Sequence, residues 1–103
     1  MQATTLIYDG SFDGFLSCVF TCYEKKLSEV SIQKKIHVQH TVFGNFDEVL
    51  THKEYADRVW NGLKNKLTYV GLNQIYYAFL SEQPQVEDVL LAYIRQVFSS
   101  KKT

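Results

Sequence analysis

Proline occurs once in this sequence, at Pro84, tryptophan once, at Trp60, and cysteine twice, while eleven basic residues balance eleven acidic ones. Scarce proline with an aromatic content of 15% is incompatible with a disordered chain, which is proline-rich and poor in aromatics. The zero formal charge removes the global attraction that a dedicated phosphate-backbone binder uses, so any nucleic-acid surface has to be local. No apolar run approaches the ~20 residues that span a bilayer. The start Met1-Gln2-Ala3-Thr4-Thr5 lacks the charged-then-apolar leader pattern, and a cytoplasmic location away from membranes is expected.

The two cysteines, Cys18 and Cys22, fall four apart on one predicted helix, where each reads as a small buried or half-buried hydrophobe with a free thiol. No CxxC, no GxGxxG and no GxxxxGK[ST] is present, nor a nucleophile and base at a diagnostic spacing. The residues therefore imply no catalytic group, no cofactor and no metal. At 103 residues the expected organisation is one domain, 1–103, large enough to bury a core without a staple.

What is present is organised around Leu6-Ile7-Tyr8-Asp9-Gly10-Ser11-Phe12-Asp13-Gly14-Phe15-Leu16, a short apolar strand running through a tight turn into a helix. Asp9-Gly10 is a turn dipeptide, with glycine supplying backbone angles that Tyr8 could not adopt, and Ser11 is a good helix cap. Phe12, Phe15, Leu16, Val19, Phe20, Tyr23 and Leu27 then recur at three- and four-residue steps, giving an apolar helical face. Gly14 in the first turn is costly against alanine, which implies a close neighbour.

Ser28 to Lys35 is polar and mixed in charge, and reads as a connection. Ile36 to Val42 alternates like a half-exposed strand or an irregular excursion, and Phe46 to Leu50 is the favoured parallel partner of Leu6 to Tyr8, with the first helix as crossover. Thr51-His52-Lys53-Glu54 fits a capping box ahead of a second helix to about Lys66. Thr68 caps a third helix carrying Leu72, Ile75, Tyr76, Phe79 and Leu80. Pro84 marks a break at Ser81 to Gln83, before a fourth helix with Val86, Val89, Leu90, Tyr93, Ile94, Val97 and Phe98 inward. The expected fold is an α-rich α/β domain, a two-stranded parallel sheet with a crossover helix and three C-terminal helices.

Two constellations are candidates for function. Asp9, Gly10, Ser11, Asp13 and Gly14 offer the amides of a helix start to a ligand or partner, although two aspartates oppose an anion there. Lys53, Arg58, Lys64, Lys66 and Arg95, interleaved with Trp60, Tyr69, Tyr76 and Tyr77, compose a basic-aromatic surface for single-stranded DNA. His37, His40 and His52 read as surface histidines, since the first two would face opposite sides of a strand.

Four ordered blocks carry a family resemblance: Tyr8-Asp9-Gly10-Ser11-Phe12-Asp13-Gly14-Phe15-Leu16, Asp57-Arg58-Val59-Trp60-Asn61-Gly62-Leu63, Tyr76-Tyr77-Ala78-Phe79-Leu80-Ser81-Glu82 and Glu87-Asp88-Val89-Leu90-Leu91-Ala92-Tyr93-Ile94-Arg95. Together they resemble the N-terminal part of an uncharacterised bacterial family of probable DNA metabolism proteins. Members of that family accompany a radical S-adenosylmethionine (radical SAM) protein, and many are fused to a uracil-DNA glycosylase-like domain. The resemblance implies an accessory or docking role in bacterial DNA metabolism or repair beside that radical SAM partner. Two alternatives stand next to it: an enzyme part whose site is completed by a further C-terminal portion, and a weak single-stranded DNA-binding module. No catalytic residue is carried onto these positions by the resemblance.

Overall fold

The computed structural model describes residues 4–37 and 45–100. Strand β1, Thr4–Tyr8, alternates so that Thr4, Leu6 and Tyr8 are buried while Thr5 and Ile7 are half-buried. Gly10, at φ +95°, then turns the chain into helix α1, Phe12–Glu24. Ser11 caps α1 as expected, its Oγ accepting from the Gly14 amide at 2.9 Å. The chain continues as β2, Val30–Lys34, a 3₁₀ turn at Lys35–His37, β3, Asn45–Glu48, and three helices: α2, Lys53–Lys64, α3, Tyr69–Leu80, and α4, Val86–Ser99.

Among the described residues the sheet has three parallel strands in the order β2-β1-β3, which corrects the two-stranded expectation. The additional strand, β2, lies inside the polar stretch Ser28 to Lys35 that reads as a connection. Its alternation is weak because it is an edge strand with only Ile32 buried. Long-range bonds complete it: the Asp88 carboxylate of α4 accepts from the Ile32 amide and from the Ser31 hydroxyl, each at 2.9 Å. No local pattern encodes a partner 56 residues away.

The crossover through α1 therefore leads from β1 to β2. The expected parallel pairing of β1 with the later strand is present, in the register Leu6 to Asp47. That strand spans Asn45–Glu48 rather than Phe46 to Leu50, although the Val49 amide still donates to the Ile7 carbonyl. Ile36 sits exposed in the 3₁₀ turn, and positions 38–42 of the expected alternation lie outside the described residues.

The face of β1 bearing Leu6 and Tyr8 is the one the helices cover. The Tyr8 ring meets Phe15 of α1 and Phe79 of α3, both with centroids 6.4 Å away. Its hydroxyl donates to Glu87 of α4. Helix α2 packs on α1, where Tyr55 stacks on Phe20 at 4.1 Å and 10° between planes. Fully buried Leu6, Phe15, Val19, Leu63, Ile75 and Ile94 fill the centre, each worth about 1.5–3 kcal/mol of burial.

Two helix starts behave differently from each other. Thr68 caps α3 as expected, accepting from the Gly71 amide at 3.2 Å. The capping box at Thr51 does not form: α2 begins with His52 as cap and no side-chain capping bond. The helix starts one residue later than the box requires, with the Thr51 hydroxyl turned onto Asp9 and the His52 amide donating to the Ser17 hydroxyl at 3.0 Å. The break around Pro84 runs to Gln85, whose φ of +64° turns the chain into α4.

Candidate functional site

The turn after β1 is knitted by its own side chains. Asp9 Oδ1 accepts from the Ser11 amide at 2.9 Å and from the Ser11 hydroxyl at 2.7 Å, while Oδ2 accepts from Thr51 Oγ1 at 3.0 Å. The Ser11 hydroxyl, then the Ser11 amide, hold the Asp9 carboxyl below the usual carboxylate range, with Thr51 adding to them and desolvation opposing them. A Cβ on Gly14 would collide with Asp9 Oδ1 and lie 3.0 Å from both Ser11 Oγ and Thr51 Oγ1. Glycine stands at this helical position because the carboxylate and two hydroxyls occupy the space of a methyl group.

The knot changes what the turn offers chemically. The Ser11 and Gly14 amides are already engaged, and a carboxylate held in its charged form stands where an anion would approach. Of the candidate ligand residues, Asp9, Gly10, Ser11 and Gly14 tie β1, α1 and the start of α2 together. Asp13 alone turns away from this knot and lines a separate cavity.

The basic candidates are divided. Lys53 pairs with Asp57 one turn on, at 3.4 Å, and Lys66 Nζ donates to the Ser100 carbonyl at 2.8 Å. Arg95 is half-buried, with one guanidinium nitrogen on the Leu27 carbonyl at 2.8 Å. Arg58 and Lys64 are exposed on α2. His52 is exposed and packs beside Tyr55 at 4.8 Å, and His40 lies outside the described residues. Among the described residues no group of three or more His, Cys, Asp and Glu side chains is placed to hold a metal ion. Cys18 and Cys22 are buried free thiols. Burial pushes both thiols up, and at Cys22 the Arg95 guanidinium works against it. No described helix is long and apolar enough to cross a membrane.

The cavity at Asp13 was not legible in the sequence. It measures about 260 Å³ and opens where α1, α2 and α3 diverge, lined by Phe12, Asp13, Leu16, Ala56, Asp57, Trp60, Asn73 and Tyr76. Phe12 is its hub, meeting Trp60 edge-on at 5.6 Å and Tyr76 edge-on at 5.1 Å. Phe12 and Leu16, Ala56 and Trp60, and Tyr76 recur at helical spacing among apolar residues, so they read as core. The only available signal was an aspartate next to an inward residue on two of those helices, Asp13 beside Phe12 and Asp57 beside Ala56.

Helix α3 continues this surface outward. It contains no charged residue, and Tyr69, Val70, Tyr77 and Leu80 are 78%, 63%, 66% and 50% exposed. The fold and these surfaces define a small parallel α/β domain with an aromatic outer helix. Comparison with protein-family models, with curated proteins and with solved structures gives no match to this chain.

Proposed function

We propose that this chain is a non-catalytic docking domain of bacterial DNA metabolism that engages a radical SAM protein through the outer face of α3. The observation that carries the docking role is that face itself. A surface helix without a charge, presenting Tyr69, Val70, Tyr77 and Leu80 to water, is hard to account for as a solvated face. Contiguous exposed apolar surface marks interaction sites, and tyrosine is enriched among the residues that dominate binding energy. The family resemblance supplies the partner's class and the glycosylase-type company.

Affinity capture from the native host at near-native concentration tests the proposal. The radical SAM protein, with glycosylase-type proteins, is expected to co-purify with the native chain and to be lost with the double variant Tyr69→Ser, Tyr77→Ser. Both positions are exposed, so the variant is expected to keep the native melting temperature. Failure to recover the radical SAM protein with the native chain overturns the reading.

A further inference from the structure

We infer that the cavity among α1, α2 and α3 receives a guanidinium group, an arginine side chain of the docking partner. This rests on the docking reading and gives the partner's chemistry at one point of the surface. At about 260 Å³ the cavity is below the usual range for cofactors and holds roughly one side-chain head. It is lined by three aromatic residues, Phe12, Trp60 and Tyr76, and by three polar ones, Asp13, Asp57 and Asn73. No basic residue lines it.

Charge decides among occupants. Two carboxylates repel a phosphate or carboxylate ligand. An apolar side chain would strip water from both without replacing it, which is costly. A cation satisfies them, and an aromatic ring attracts a cation placed over its face. Among cations, a guanidinium is planar, stacks on aromatic rings, and presents paired donors to a carboxylate and an amide oxygen at once. Asp57 already meets Lys53, but that pair is long and both partners are exposed, so it offers little resistance to exchange. Asp13 takes part in no ion pair among the described residues. Tyr76 belongs both to the cavity and to α3, so an arginine seated here lies at the margin of the proposed docking face.

Trp60 is the chain's one tryptophan, so intrinsic fluorescence reports on this cavity without a label. The probe is the blocked peptide Ac-Leu-Arg-Leu-NH2, compared with its citrulline counterpart, which keeps the shape and loses the charge, and with its lysine counterpart. The arginine peptide is expected to give a saturable change at millimolar concentration or below. The citrulline peptide should bind at least tenfold more weakly, the lysine peptide several-fold more weakly, and Asp13→Asn with Asp57→Asn should weaken arginine binding at least tenfold at unchanged melting temperature. Equal binding of the citrulline or lysine peptide, no saturable response to arginine, or quenching by a single-stranded oligothymidylate instead overturns the inference. Its failure is separable from that of the docking reading: capture of the radical SAM protein that persists in the doubly neutralised variant leaves docking standing and removes arginine from it.

Discussion

The Tyr8 hydroxyl donates to the Glu87 carboxylate at 2.7 Å across 79 positions of sequence, fastening the end of β1 to the first turn of α4. Both residues are buried. Burial first, then the bond to Glu87, raises the Tyr8 hydroxyl far above its ordinary value, so it stays a donor at every working pH.

Removing that hydroxyl leaves a buried carboxylate short of its partner. Tyr8→Phe is expected to destabilise the fold by about 1–3 kcal/mol, measured by urea unfolding, because the desolvated acceptor is no longer satisfied. Glu87→Gln keeps an acceptor in place and should cost less. A Tyr8→Phe variant as stable as the native chain would contradict the role of this bond.

Gly14→Ala should reverse the usual helix rule. Alanine in place of glycine ordinarily stabilises a helix by up to about 1 kcal/mol. Here the added methyl meets the Asp9 carboxylate and two hydroxyls, and a cost of about 1–3 kcal/mol is expected from overpacking. In an Asp9→Ala background the same change should lose more than half of that cost. A double-mutant cycle that shows no coupling between positions 9 and 14 would refute the assignment.

The same carboxylate gives the fold an acid-sensitive element. Its pKa is lowered in the folded state, so its contribution is fully present above the unfolded value of ~3.9 and is lost as pH falls through the lower folded value. The stability gap between the native chain and Asp9→Asn should be constant near neutrality and shrink below about pH 4. Asp9 is exposed, so the gap is expected to be modest. Denaturant midpoints along a pH series measure it, and a gap that widens on acidification would reverse the sign argued here.

Single-stranded DNA should bind weakly at most. The chain carries no net charge, and Lys66 and the half-buried Arg95 are already bonded to the Ser100 and Leu27 carbonyls. Titration at several salt concentrations should give a plot of log affinity against log salt shallower than about −2, since each contacted phosphate of a single strand contributes ~−0.7. A steeper slope would favour the DNA-binding alternative over docking.

Elements whose signals are local were legible in the sequence. The Leu6 to Tyr8 strand, the Asp9-Gly10 turn, the Ser11 cap and the four helices follow from periodicity and turn chemistry over a few residues. Val89 and Tyr93, read as inward, are 64% and 40% exposed, whereas the remaining failures share one cause. Strand β2 pairs with β1 and is completed by Asp88, the Thr51 hydroxyl is turned onto Asp9 from a turn 42 residues earlier, and the aromatic cavity exists because three helices splay. Each of these depends on a partner distant in sequence, which spacing within a window does not register. The glycine at position 14 did signal a close neighbour, without naming it.

The seal that Asp88 places on Ile32 reaches beyond the docking of α4. Among the described residues β2 is an outer strand, and the amide of its central residue, which points away from β1, is already taken by a carboxylate. The opposite border, β3, is four residues long and carries Asp47 and Glu48, both exposed. A short charged border and a blocked amide are the means by which sheets avoid recruiting further chains. Asp88 thus closes one position at which a further strand could pair, and its loss would free that amide on the outer side of the strand.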